Sequence, residues 1–161
     1  MRTRPWHILA LVPMVMAFAR PAAADLTGFI GLTTAPTTRF ATGVAVGFSL
    51  VIVGFEFEYS RTSEDQAQSA PSLDTGMFNA LLQTPVPIAR TRFYATAGAG
   101  VYRERLGDVQ ETNVGFNIGF GAKINLAGPL RLRLDYRLFK FQGAAIASRP
   151  QRFYAGLNLA F

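Results

Sequence analysis

The segment Leu130-Arg131-Leu132-Arg133-Leu134-Asp135-Tyr136-Arg137-Leu138 alternates strictly between apolar and charged residues. This constrains the chain more than any other feature. On a helix, successive side chains turn by about 100°, so these charges would be scattered around the axis. On a strand they separate cleanly, with Leu130, Leu132, Leu134, Tyr136 and Leu138 on one face and Arg131, Arg133, Asp135 and Arg137 on the other. The sheet that contains this strand must therefore face two very different environments.

The same period of two recurs along the chain. Val53, Phe55, Phe57 and Tyr59 oppose Glu56 and Glu58. Phe93, Ala95, Ala97, Ala99 and Val101 oppose Arg92, Tyr94, Thr96, Gly98, Gly100 and Tyr102. Val114, Phe116, Ile118, Phe120, Ala122 and Ile124 oppose a face of Asn, Gly and Lys123. Turn residues divide the chain after Asp25 into eight strands, near 26–34, 42–50, 53–61, 75–84, 91–105, 112–126, 130–142 and 151–161. The connections are expected to alternate, longer at 35–41, 62–74, 106–111 and 143–150, and shorter at 51–52, 85–90 and 127–129. Between Gly43 and Phe55 the chain is almost wholly apolar, and a transmembrane helix is the rival reading there. The run is short for a span of about twenty residues, is rich in Gly and β-branched residues, and leads straight into the Phe-Glu-Phe-Glu alternation, which favours a hairpin.

The first residues have a different character. A basic start, Met1-Arg-Thr-Arg4, precedes an apolar stretch from Ile8 to Ala19 that contains Pro13, followed by Arg20-Pro-Ala-Ala-Ala24. This is the pattern of a secretory signal peptide with cleavage expected after Ala24, leaving 25–161 as the mature domain. Its removal takes away Arg2, Arg4 and Arg20 and lowers the formal charge from +6 to +3. It also takes away the only His, His7, and the only Trp, Trp6. The small remaining excess of positive charge does not argue for nucleic acid.

Which face of the sheet is outside decides between two kinds of barrel. A soluble, lipocalin-like barrel lines its cavity with the apolar face, whereas a membrane barrel turns that face to lipid. The polar face is rich in Gly (Gly98, Gly100, Gly115, Gly119, Gly121, Gly156), as a crowded eight-strand interior requires. It also carries both signs of charge: Glu56, Glu58, Glu104 and Asp135 against Arg92, Lys123, Arg131, Arg133, Arg137 and Arg152. Buried charges are tolerated when paired, so these ten residues are expected to form a lumenal charge network. The fold expected is all-β, an eight-stranded antiparallel up-and-down transmembrane β-barrel.

The last strand, Gln151-Arg-Phe-Tyr-Ala-Gly-Leu-Asn-Leu-Ala-Phe161, ends on an aromatic residue in phase with its apolar face. Aromatic rings collect at membrane interfaces. Together with Phe55-Glu-Phe-Glu-Tyr-Ser60 and Gly128-Pro-Leu-Arg-Leu-Arg-Leu-Asp-Tyr-Arg137, this segment resembles the small eight-stranded outer-membrane barrel family of the OmpA/OmpX type. The resemblance spans 25–161. It implies a Gram-negative cell outer membrane as the location, outer-membrane lipid and lipopolysaccharide as surroundings, and Tyr154, Gly156, Leu159 and Phe161 as a C-terminal signal read by the barrel assembly machinery. It is not specific for activity.

Little chemistry is visible. Without His in the mature chain no Ser–His–Asp arrangement forms, and there is no Cys. Glu56 and Glu58 are two apart on one face, but their basic neighbours favour ion pairing over acid–base work. Gly98-Ala-Gly100 lies within a strand and is not a phosphate loop. Glu64, Asp65, Asp74, Asp108 and Glu111 are acidic loop residues, read as solvated charge rather than as sites for divalent cations. No cofactor or metal is expected, the protein is not expected to be an enzyme, and a closed barrel without edges suits a monomer. Three functions stay open: a structural or surface-interaction barrel acting through loops such as Arg61–Asp74, a narrow pore or transporter, and a soluble ligand-binding barrel.

Overall fold

Each alternating segment becomes a strand in the computed structural model, which describes residues 23–161. The strands are β1 (Ala23–Thr34), β2 (Arg39–Leu50), β3 (Val53–Thr62), β4 (Ser72–Gln83), β5 (Thr91–Leu106), β6 (Val109–Ala127), β7 (Leu130–Phe141) and β8 (Gln151–Ala160). Every neighbour pair is antiparallel, and β8 returns to β1 to close the barrel. At the seam Ala24 and Phe161 exchange two backbone hydrogen bonds of 2.9 Å, so the aromatic C-terminus is held by main-chain pairing. The expected export segment falls outside the described residues except for Ala23 and Ala24, which open β1.

The apolar stretch 43–55 is a hairpin. Leu50 pairs with Val53 across Val51 and Ile52, and Val51 has a positive φ of 43°. A β-branched residue is disfavoured there, so the extended pairing on either side forces this turn. Among the described residues no helix is long and apolar enough to cross a membrane.

The expected alternation of loop lengths holds only in part. The connection 84–90 is long although it lies at the terminus rim, while β5 and β6 join through Gly107 and Asp108 alone. The pairing of β5 with β6 runs out to Leu106↔Val109. Continued main-chain pairing thus replaces the loop expected at 106–111, and Gly107, at φ 58°, makes the tight reversal that this requires.

The faces divide as in a membrane barrel. Phe40 is 75% exposed on the outside, with Ile30, Val44, Phe57, Leu82, Phe120, Phe153 and Leu157 also exposed around the wall. Charged and polar residues fill the inside. This is the reverse of a soluble barrel with an apolar cavity. Glycine makes the interior possible. A Cβ on Gly98 would lie 2.5 Å from the Phe78 carbonyl and 3.0 Å from the Asn117 amide, and one on Gly156 would lie 2.8 Å from Cβ of Phe29.

Candidate functional site

The middle of the lumen is occupied by a ladder of ions. Period two places Arg133, Asp135 and Arg137 on the inner face of β7, Glu56 and Glu58 on that of β3, and Arg152 on that of β8. Closure brings these faces together across the barrel. Arg133 holds both Glu56, through two nitrogens, and Asp135 at 3.1 Å. Arg137 contacts Glu56 at 3.0 Å, Asp135 at 2.9 Å and Glu58 at 3.1 Å. Arg152 completes the series on Glu58 at 3.2 Å. Three carboxylates thus face three guanidiniums, and the formal charges cancel.

Two tyrosines join the ladder. The Tyr94 hydroxyl donates to Asp135 and accepts from Nε of Arg133 at 2.8 Å. The Tyr154 hydroxyl donates to Glu58 at 3.2 Å and accepts from Arg137 at 3.2 Å. Their rings also face the cations, with the Arg133 guanidinium 5.1 Å from the Tyr94 centroid and that of Arg137 5.8 Å from Tyr154. Arg133, Arg137 and Arg152 are 0% exposed. Such burial is tolerated because nearly every donor meets a charged or aromatic partner.

The remaining expected members lie at the two ends. Lys123 pairs with Asp25 at 2.6 Å toward the terminus rim, and Arg92 and Arg131 line a small recess beside it. Glu104 is at the opposite end and is not part of the ladder. It accepts the backbone N–H groups of Ile146, at 2.8 Å, and Ala147, and so ties the loop 142–150 into the barrel mouth. The side chain of Arg39 does the same for 63–71 by donating to the carbonyls of Ser63 and Pro71.

The interior is also less polar than expected. Leu73, Met77, Tyr102, Phe139 and Phe141 form a buried cluster toward the loop rim. Tyr102 and Phe141 stack at 4.2 Å, and Arg152 sits 4.7 Å from the centroid of Phe139. Extending the parity of Arg137 two and four residues onward places Phe139 and Phe141 inside. Asp25 and Arg39 escape sequence reading because the strands begin earlier than the apolar pattern does.

The four residues of the expected C-terminal signal divide by face. Tyr154 and Gly156 are buried in the lumen, where Tyr154 stacks on Phe29 at 4.1 Å. Leu159 and Phe161 point outward and are exposed. Neither Glu56 nor Glu58 is an independent acid or base, since Arg137 sits between them and binds both. Among the described residues no group of three or more His, Cys, Asp or Glu stands together to hold a metal.

Apolar residues outside and a compensated ion ladder inside mark a barrel whose solvent is lipid. The family model for the outer membrane protein beta-barrel domain matches residues 9–161. This chain belongs to that family. Its barrel is similar to the N-terminal β-barrel domain of Pseudomonas aeruginosa OprF, at 15% identity and a TM-score of 0.68, with 88% of this chain and 100% of that one covered. It is also similar to Neisserial surface protein A, at 15% identity and a TM-score of 0.71 over 89% and 99% of the two chains. Ail, the attachment invasion locus protein of Yersinia pestis, is more distant, at 9% identity and a TM-score of 0.56 over 88% and 100%. Comparison with curated proteins finds no match. At these identities the likeness shows the fold, and membership of the outer-membrane barrel family implies an outer-membrane location.

Proposed function

We propose that this outer-membrane barrel is a rigid, closed support that is exported by a signal peptide cleaved after Ala24 and presents its loops at the cell surface in a structural or surface-interaction role. The observation that carries this reading is the filled lumen. The ion ladder occupies its middle and the Leu73–Phe141 cluster its loop end. An eight-strand interior is about wide enough to be filled by side chains, which supports a plug rather than a pore. The two longest connections at the loop rim, 63–71 and 142–150, are anchored to the wall by Arg39 and Glu104. Anchored loops present a fixed surface, which suits recognition. The C-terminal residues Leu159 and Phe161 point outward, as Phe153 and Leu157 do, and are open to the barrel assembly machinery.

Cysteine labelling tests this reading. Gln68→Cys and Ser148→Cys are expected to react in intact cells with a reagent that does not cross the outer membrane, and the protein should give no single-channel conductance in planar bilayers. Labelling only after the outer membrane is opened, or discrete conductance steps, would overturn it.

A further inference from the structure

The outward face of the barrel is not uniformly apolar. Among the described residues, the charged side chains on that face of the strands are Arg61, Asp74, Arg103, Arg105 and Lys140, and all of them lie at the loop end. At the terminus end the outward positions are apolar, with Leu26, Leu50, Val53, Leu82, Phe93 and Leu159 exposed. The charge of the outward wall is therefore confined to one end, where positive residues outnumber the single Asp74.

Most of this charge is gathered in one place. Arg61, Asp74 and Arg103 stand side by side on β3, β4 and β5, and Arg105 follows two residues beyond Arg103. The Asp74 carboxylate accepts from Nε of Arg61 at 2.9 Å and from the Tyr59 hydroxyl at 3.2 Å. Arg103 has no carboxylate within ion-pair distance among the described residues. The patch keeps an excess of two positive charges.

Directly below it the wall has a groove. Gly76 is the outward residue of β4 between Asp74 and Phe78, and its missing side chain leaves a depression of about 240 Å³ whose lining includes Tyr59, Asp74, Gly76, Val101, Arg103 and Thr112. A Cβ on Gly76 would meet nothing nearer than 3.9 Å, so packing does not require glycine here. The groove thus runs from an apolar floor to Arg103 and to Asp74, whose carboxylate is already held by Arg61, with Arg105 two residues further along β5.

We infer that this groove binds lipid A of lipopolysaccharide, with an acyl chain over Gly76 and a phosphate on Arg103, Arg61 and Arg105. Guanidinium groups match phosphate oxygens in geometry and charge, and the apolar floor takes a chain that a free phosphate lacks. The inference rests on the loop end lying in the outer leaflet, as proposed above.

Native mass spectrometry of the folded, signal-free barrel released from detergent, with added lipid A, tests it. Phosphatidylglycerol is the comparison lipid. Wild type is expected to retain lipid A in preference to phosphatidylglycerol, and Arg103→Gln together with Arg61→Gln to weaken retention by about tenfold or more. Gly76→Leu should weaken it while leaving the arginines in place, and Lys140→Gln, on the other side of the wall, should not. Gly76→Ala is the milder substitution if Gly76→Leu does not give a heat-modifiable, folded band. Equal retention by wild type and the arginine variant would overturn the site, and equal retention of phosphatidylglycerol would reduce it to an ordinary lipid contact. Surface labelling of Gln68→Cys separates these failures from a wrong orientation, because labelling would still succeed.

Discussion

Arg137 contacts Glu56 at 3.0 Å although β7 and β3 share no edge of the sheet. The two strands lie on opposite sides of the lumen, and only closure of the barrel brings them together. The pair, with Arg133, Asp135, Glu58 and Arg152, ties the wall across its middle as well as around its circumference.

Glu56→Gln removes the carboxylate shared by Arg133 and Arg137 and leaves both cations under-compensated. A loss of about 3–5 kcal/mol is expected, the range for breaking one partner of a buried pair. Reversible urea unfolding in lipid vesicles, followed by gel mobility, measures it. A Glu56→Gln/Arg133→Met double variant is expected to recover part of the loss, because it restores charge balance.

Inward and outward glycines should differ sharply. A Cβ on Gly98 meets the Phe78 carbonyl at 2.5 Å, so Gly98→Ala forces the wall or the Asn79–Asn117 bond to shift, at roughly 1–3 kcal/mol. Gly28→Ala on the lipid side meets nothing within 4 Å and is expected to be nearly neutral. Unfolding midpoints of the two variants in the same vesicles make the comparison.

Glu104→Ala is expected to release the loop 142–150. Its two backbone acceptor contacts disappear, and the amides of Ile146 and Ala147 lose their partners. Hydrogen exchange at these two amides should accelerate strongly while that of the β3 and β7 amides stays slow. The loss of global stability should stay within about 1–3 kcal/mol. Uniform acceleration throughout the barrel would show that Glu104 supports the wall and not the loop.

The C-terminus should matter for assembly more than for stability. Phe161 points outward at 72% exposure, so its ring buries little surface against the rest of the barrel. The purified Phe161→Ser barrel is therefore expected to unfold at nearly the wild-type urea concentration. The amount of folded, heat-modifiable protein recovered from outer membranes is expected to fall several-fold. Equal recovery would remove the assembly role.

The intact mass of protein taken from outer membranes is expected to begin at Asp25. The seam pair Ala24–Phe161 would then be absent from the mature barrel, and the Asp25–Lys123 pair at 2.6 Å would secure the start of β1 instead. Lys123→Met should therefore loosen that end, seen as faster hydrogen exchange at Leu26 and Thr27. A mass starting at Ala23 would retain the seam pair and make Lys123 less important.

The alternation in Leu130–Leu138 and its counterparts determined by itself that this chain forms strands, how many there are, and which residues share a face. These are properties of neighbours in sequence, because a period of two needs no tertiary partner. The Gly-rich, doubly charged face and the terminal Phe161 also made its inward direction legible. Only the closed structure decided which charges meet. Glu56 and Arg137 are 81 residues apart, and nothing local distinguishes Glu104, which holds a loop, from Glu58, which holds two arginines. Tertiary structure likewise decided that Phe141 stacks on Tyr102 inside the lumen and that β5 and β6 pair outward to a two-residue turn. The physical reason is that face assignment follows from backbone geometry along one strand, whereas partner choice depends on how eight strands stagger around a shared interior.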